Sequence, residues 1–415
     1  MITRIEAKEL IKKYMAANNP IQTGATLGTI RPNTTFDVYN IPIEYLVPNV
    51  MNDRIAMRIR EYEEDNNRKL SFENETDIEY IYKTIEDENK SDNQHTLEDL
   101  AKKGQEEFGV ITCDGIVVSG NRRVTLLRKL WQGEATKYNQ PCDKFKCLKC
   151  IVLDETYTEK EILALETITQ MGKDKQVDYN RINLYIKVDN LFRAGYGYKQ
   201  IKDYMGMKKE SDVKDMHDLY KFMCEYLENI GKTNHFSLLD GLEDQMIKTS
   251  TFFKKLDNKT YDADWEYYDN DVNDFKLVCY DYLRAHYEGK EYRDVLLGKV
   301  NKNKGNGVFT NKRIWDKFLA RHNSIIEAHE DKLITENDWK MLGKTQFKSI
   351  LSDAEHDLKD ILQNKNAKDL ISAIDQKVDS LETLIDACNE LDEEDVEKLQ
   401  SINKRIYNIF REFKD

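Results

Sequence analysis

A chain of 415 residues, 40% hydrophobic and 33% charged, has the length of about two to four domains and the composition of a globular protein with much polar surface. Only 5 Pro and 18 Gly exclude collagen, proline-rich spacers and glycine tethers, and favour long helices. The net charge of −13 excludes a uniformly basic nucleic-acid coat, but it is uneven: residues 351–415 carry −8, whereas residues 121–150 carry +6.

Residues 1–18 read as an amphipathic helix with Ile2, Ile5, Leu10, Ile11 and Tyr14 near one face, stopped by Asn18-Asn19-Pro20. Residues 20–40 read as loop or short extended segments. The stretch Asn40–Asn49 reads as a short strand entering a Pro-punctuated turn. The charged stretch 53–93, with helical fragments at Ile55–Tyr62 and Ile78–Ile85, reads as a surface insertion. A helix follows from Asp92.

Val110–Cys113 and Ile116–Val118 then form a hairpin, for which Asp114-Gly115 predicts a type I′ turn. Ser119-Gly120-Asn121 is a strand-to-helix junction opening a helix over Arg122–Trp131. Residues 145–153 alternate as a strand that includes Cys147 and Cys150. A CxxC with no second pair is more readily a strand feature than a zinc site. Thr158–Gln170 is a helix capped by Thr158 with Glu161 three residues on.

From Val177 the pattern is helical. The segment Tyr198–Met216 reads as helix-turn-helix-like, with Ile201, Met205, Val213 and Met216 as its core, Gly206 at the turn and Ser211 as the cap of the second helix. Lys199, Lys202, Lys208 and Lys209 are its candidate phosphate contacts. Asp212, Asp215 and Asp218 on the second helix oppose DNA. Residues 235–300 are aromatic-rich and read as core or protein–protein surface, and 301–307 as a linker. Leu351, Ala354, Leu358 and Ile361, then Ile371, Ile374, Val378, Leu381, Ile385 and Cys388, repeat at three and four as a coiled-coil or hairpin seam. No stretch is apolar enough for a membrane span, and Met1–Lys8 lacks the apolar centre of a secretion signal. Seven scattered Cys fit a reducing cytoplasm.

The chemistry concentrates at Ser119-Gly120-Asn121-Arg122-Arg123. A glycine lets the backbone turn and a ligand approach, first-turn amides attract anions, and two guanidiniums bring forked donors. Phosphate binding is one reading, with Asn121 capping the helix. The other is the solvated start of an amphipathic helix.

With Ile41–Asn49, a helix before the hairpin, Asp114–Leu127 and then Leu165–Gln170, the chain resembles the ParB branch of the ParB/sulfiredoxin-like superfamily over residues 38–226. The resemblance implies an α+β nucleotide-binding domain over 38–165, with 1–37 ahead of it and the insertion 53–93 within it. A helix-turn-helix-like domain over 166–234, the aromatic region 235–300 and a helical region 308–415 follow in a largely all-α C-terminal half. It implies that Gly120, Arg122 and Arg123 bind a nucleoside triphosphate, typically CTP with Mg2+. It also implies that Glu166 is the hydrolytic residue of a Glu-Asn-x-x-Arg box. Here Thr167 replaces the Asn and Gln170 the Arg, with Lys173 and Lys175 just beyond as substitutes.

The expectation is nucleotide-regulated DNA binding by a cytoplasmic homodimer joined through the C-terminal helices, in plasmid or phage maintenance, transcription control or defence. The alternative is a phosphotransferase or nuclease with Glu166 as general base.

Overall fold

The computed structural model describes residues 2–27, 30–50, 52–171, 180–261, 263–298, 307–329, 335–387 and 392–412; Lys173, Lys175, Cys388 and the stretch 301–306 lie outside them. It divides into two compact units, Met1–Lys254 and Lys255–Asp415. The expected architecture is present: a mixed sheet with helices in the N-terminal part, and a mostly helical C-terminal half.

The first unit opens with α1 (Arg4–Ala17), whose Thr3 cap and Glu6 form a capping box. Strands β1 (Gln22–Thr26), β2 (Thr35–Pro42), β3 (Val47–Pro48), β4 (Gly109–Ile111), β5 (Ile116–Ser119) and β6 (Cys147–Val152) form one sheet in the order β1-β2-β6-β4-β5-β3. The pairs β6–β4 and β3–β5 are parallel and the others antiparallel.

Between β3 and β4 come α2 (Ala56–Asp65), α3 (Glu75–Glu88) and α4 (Lys90–Lys103). Strand alternation sends Ile111, Val117 and Cys150 to one face, where they pack on Ile11, Ile78, Tyr82, Leu97 and Leu100. Val110, Val118 and Ile151 go to the other face. The 53–93 stretch is thus not a surface insertion. Ile78 and Tyr82 belong to the main core, and Ile55, Ile59, Ile81 and Ile85 close a second cluster beside it. Its charges lie on the outer faces of amphipathic helices, which hides the core role in a count of charged residues.

The β4–β5 turn differs from the type I′ expectation. Gly115 N donates to Thr112 O at 3.0 Å, and Gly115 has φ +87, whereas Asp114 is not left-handed. This is a four-residue turn closed by a left-handed glycine. Gly115 is required there, because a Cβ would run into the Tyr45 carbonyl oxygen and stand 3.2 Å from Ile11 Cδ1. Arg4 Nη1 fastens the same place by donating to the carbonyls of Tyr45 (3.2 Å) and Asp114 (3.1 Å).

Past β5 come α5 (Asn121–Trp131) and, after β6, α6 (Glu159–Met171), α7 (Arg181–Arg193), α8 (Tyr198–Tyr204), α9 (Glu210–Asn229) and α10 (Glu243–Asp257). Helix α6 is shared. Leu165 packs on the sheet with Val118 and Ile151, while Ala164 packs with Val188, Leu191, Ile201 and Val213 of the helical layer.

The second unit contains α11 (Asp269–Arg284), α12 (Lys312–His329), α13 (Glu336–Leu342), α14 (Lys348–Ala387) and α15 (Glu393–Glu412). Its aromatic residues form a core, as read from the sequence. Phe275, Tyr282, Phe309, Trp315 and Phe347 are all buried, and Tyr282 Oη donates to Phe347 O at 3.0 Å.

Asp281 and His322 face one another at 3.3 Å in this unit. Burial pushes the Asp281 carboxyl up to about 7 and the His322 imidazole down to about 4. A raised carboxyl stabilises at low pH and loses that contribution as pH rises from the ordinary carboxylate range through about 7. A lowered imidazole stabilises above its ordinary value of 6.5 and loses that contribution as pH falls through about 4. The two slopes oppose each other between them. We predict that Asp281→Asn removes the falling slope, so thermal stability of the second unit then climbs from pH 4.5 to 6.5. A melting curve set that stays as flat as the wild type's would contradict this.

Candidate functional site

Gly120 forms the junction between β5 and α5. Its φ of +109 is a left-handed conformation that only glycine adopts without strain, and it has no side chain with which to cap the helix. The first intrahelical bond runs from Val124 N to Gly120 O at 2.8 Å. No side chain caps α5 from the Gly120 position. Ser119 is the last residue of β5 and pairs with Val110.

Asn121 does not cap α5. It is buried, its Oδ1 accepts from Asn49 N at 2.8 Å, and its Nδ2 donates to Val117 O at 3.0 Å. It fastens the segment after β3 to the end of β5. A cap residue precedes the first helical turn, and Asn121 already has helical backbone, so its side chain is free to reach sideways.

The paired arginines part company, because adjacent residues on a helix point about 100° apart. Arg123 turns to the hairpin side, where Nη1 donates to Glu107 O at 3.0 Å and the guanidinium lies 3.6 Å from the Glu107 carboxylate. Burial lowers its pKa, against the pull of Glu107. Arg122 turns the other way, into a tight recess of about 10 Å³ that it lines with Arg54, Ile55, Ile85, Glu88, Asn89 and Asn93. The two arginines that line it are thus Arg122 and Arg54, not Arg122 and Arg123. Glu88 shares the wall. Burial raises its pKa, and Arg58 and Arg54 work in the opposite direction.

Glu166 is 1% exposed on the inner side of α6. Its Oε2 accepts from Asn49 Nδ2 at 3.2 Å and its Oε1 from Gln170 Nε2 at 3.0 Å. Gln170 Oε1 in turn accepts from Lys187 Nζ at 3.3 Å, and Lys187 is 0% exposed. A buried polar seam thus runs Asn121–Asn49–Glu166–Gln170–Lys187. Asn183, one turn before Lys187, accepts from Met57 N at 3.0 Å and donates to Arg54 O at 2.6 Å.

Sequence reasoning found Gly120, Asn121, Arg122 and Glu166 but not Arg54, Asn183 and Lys187. Lys187 stands between Ile186 and Val188 in a helix buried on most sides, and that one break in an apolar run was its signal. Among the described residues no cluster of three His, Cys, Asp or Glu side chains has the geometry of a metal centre. Cys150 is buried in the main core.

The helix-turn-helix-like core is assembled as read: Ile201, Met205 and Val213 are buried, Met216 packs against them, and Gly206 turns at φ +66. Ser211 is not the cap. Helix α9 starts at Glu210, with Lys209 at the cap position, and Ser211 Oγ donates to Asp212 Oδ1 at 3.3 Å. Lys199, Lys208 and Lys209 are exposed, while Lys202 pairs with Asp203 at 2.9 Å. Asp215 and Asp218 share one cation, Lys254 of α10, at 2.8 and 2.7 Å, which offsets half of their charge.

No protein-family model matches the chain, and no curated protein matches it either. Among solved structures, the C-terminally truncated chromosome-partitioning protein ParB from Caulobacter crescentus, complexed with CTP-gamma-S, aligns with a TM-score of 0.20 and 15% identity. The alignment covers 51% of this chain and 98% of that one. Among the described residues no helix is long and apolar enough to cross a membrane.

Proposed function

We propose that this chain is a ParB-like, nucleotide-regulated DNA-binding protein, with a nucleoside triphosphate of the CTP type held at the start of α5. One observation carries the reading. Gly120 opens an uncapped helix beside a recess that receives Arg122 and Arg54 together. Two arginines and a helix N-terminus side by side suit a polyphosphate, which would enter as the recess of about 10 Å³ widens. Mg2+ would enter with the nucleotide and offset the Glu88 charge. DNA would lie along the exposed Lys199, Lys208 and Lys209, with Lys254 offsetting part of the charge of Asp215 and Asp218. The partner in solution is a second copy, joined through α14 and α15. Maintenance of a plasmid or phage, transcription control and defence all use such a protein.

Turnover with Glu166 as general base, in a phosphotransferase or nuclease, has less support. Its carboxylate is 1% exposed, and each oxygen already accepts a hydrogen bond. A base must reach the proton that it takes.

Calorimetric titration of the full chain with CTP, ATP and GTP in Mg2+ tests the proposal. Arg122→Ala and Arg54→Ala should each weaken triphosphate binding by about tenfold to a hundredfold, the loss of charge-assisted contacts worth roughly 1.5–3 kcal/mol. Arg123→Ala, engaged with Glu107, should change it by no more than about threefold. Absence of binding to all three nucleotides at millimolar concentration would remove the reading.

A further inference from the structure

We infer that Lys187 is a positioning residue, which from α7 holds the segment Asn49–Met57 in place through Gln170 and Glu166. This rests on the nucleotide reading above.

An ammonium group with no exposure to water needs anionic or strongly polar company. Gln170 supplies the link. Its carboxamide turns the oxygen to Lys187 Nζ and the nitrogen to Glu166 Oε1, the orientation that a cation on one side and an anion on the other select. An arginine at 170 would put a second positive charge in this dry seam. A glutamine instead passes the polarity of Lys187 on to Glu166. Glu166 in turn accepts from Asn49 Nδ2, and Asn49 N reaches Asn121 Oδ1 at the first residue of α5.

The same face of α7 holds the other end of the loop. Asn183 lies four residues before Lys187, hence one turn away on the same side. It grips Arg54 O and Met57 N. The segment from Asn49 to Met57 is therefore tied at both ends to α7, once through Asn183 and once through Lys187, Gln170 and Glu166. That segment carries Arg54 into the recess. Lys187 touches no phosphate in this arrangement. It fixes where the phosphate-facing residues stand, and it places their support on the helix that packs with α8 and α9 through Val188 and Leu191.

The test is a double-mutant cycle on the full chain with two readouts. In the absence of nucleotide, Lys187→Met strands a buried carboxylate and should lower the melting temperature by roughly 10 °C. Adding Glu166→Gln, which removes that charge but keeps an acceptor for Asn49, should recover most of the loss. With CTP and Mg2+, Lys187→Met should weaken binding by about tenfold or more, and the double variant should return to within about threefold of wild type. A lysine that only fills space would show additive effects in both readouts, and additivity overturns the inference, as does a Lys187→Met chain that melts and binds like wild type. If the wild type binds no nucleotide, the proposed function fails, while the melting cycle still decides the pairing of Lys187 with Glu166.

Discussion

Gly115→Val will unfold the N-terminal unit or bring it to the edge of unfolding. The turn glycine has φ +87, where a β-branched side chain is strained, and the added Cβ meets the Tyr45 carbonyl oxygen, Ile11 Cδ1 and Arg4 Nη1. Backbone strain of about 1–2 kcal/mol and overpacking of about 1–3 kcal/mol combine to roughly 2–5 kcal/mol. A domain has about 5–15 kcal/mol in all. Gly24→Ala is the comparison. Gly24 has φ +73 with nothing within 4 Å of a built Cβ, so only the strain remains, at about 1 kcal/mol. Urea unfolding of the two variants measures the difference, and equal midpoints would sink the argument. The damage should reach the candidate site as well. Gly115 O accepts from Val47 N at 3.0 Å, which pins β3 just ahead of Asn49.

The second large effect concerns α14. Its 40 residues span about 60 Å at 1.5 Å per residue. Leu351 and Ala354 are buried within the second unit, yet farther along Leu370, Ile371, Ile374 and Val378 are exposed at 64, 67, 47 and 45%. On α15, Val396, Ile402, Ile406 and Ile409 are exposed too. Apolar residues repeating at three and four on uncovered helices are the pattern of a self-association seam. The triple change Ile371→Asp, Ile374→Asp, Val378→Asp should convert a dimer of the 48.9 kDa chain into monomer. Each buried Ile or Val contributes about 1.5–3 kcal/mol, and each aspartate adds a desolvation cost. Because residues 351–415 carry −8, two copies repel, and added salt should tighten the dimer. Sedimentation equilibrium reads both effects. A wild-type chain that is monomeric at micromolar concentration, or a triple variant that stays dimeric, would contradict the seam.

Much of the first unit was legible because its signals are local. The Val124, Leu127 and Leu130 spacing marked α5, and Thr158 with Glu161 marked the start of α6. In the second unit the aromatic run of 261–292 read as core or protein–protein surface, and Tyr282 and Tyr292 are buried. What stayed hidden depends on partners distant in sequence. Strand β1 is polar and buries only Ala25, so its alternation carries no signal, and its pairing with β2 defines it. Ile78 and Tyr82 look like part of a charged surface helix until the sheet face beneath them is known. At the candidate site the glycine and Arg122 were readable from strand-to-helix order. The divergence of Arg123 was foreseeable from helical angle alone. Arg54 and Asn183 could not be placed, since 129 positions separate the two partners of their hydrogen bond.

Helix α6 presents three neighbouring residues to three different environments: Ala164 to the helices, Leu165 to the strands and Glu166 to the polar seam. No cut between the strand layer and the helical layer leaves both closed, since either fragment would lose a wall. A one-residue insertion ahead of Ala164 would rotate all three assignments at once, swapping a methyl, an isobutyl group and a carboxylate among sites that each accept one kind. This helix is the keystone of its unit, and its length is as binding on the fold as its composition.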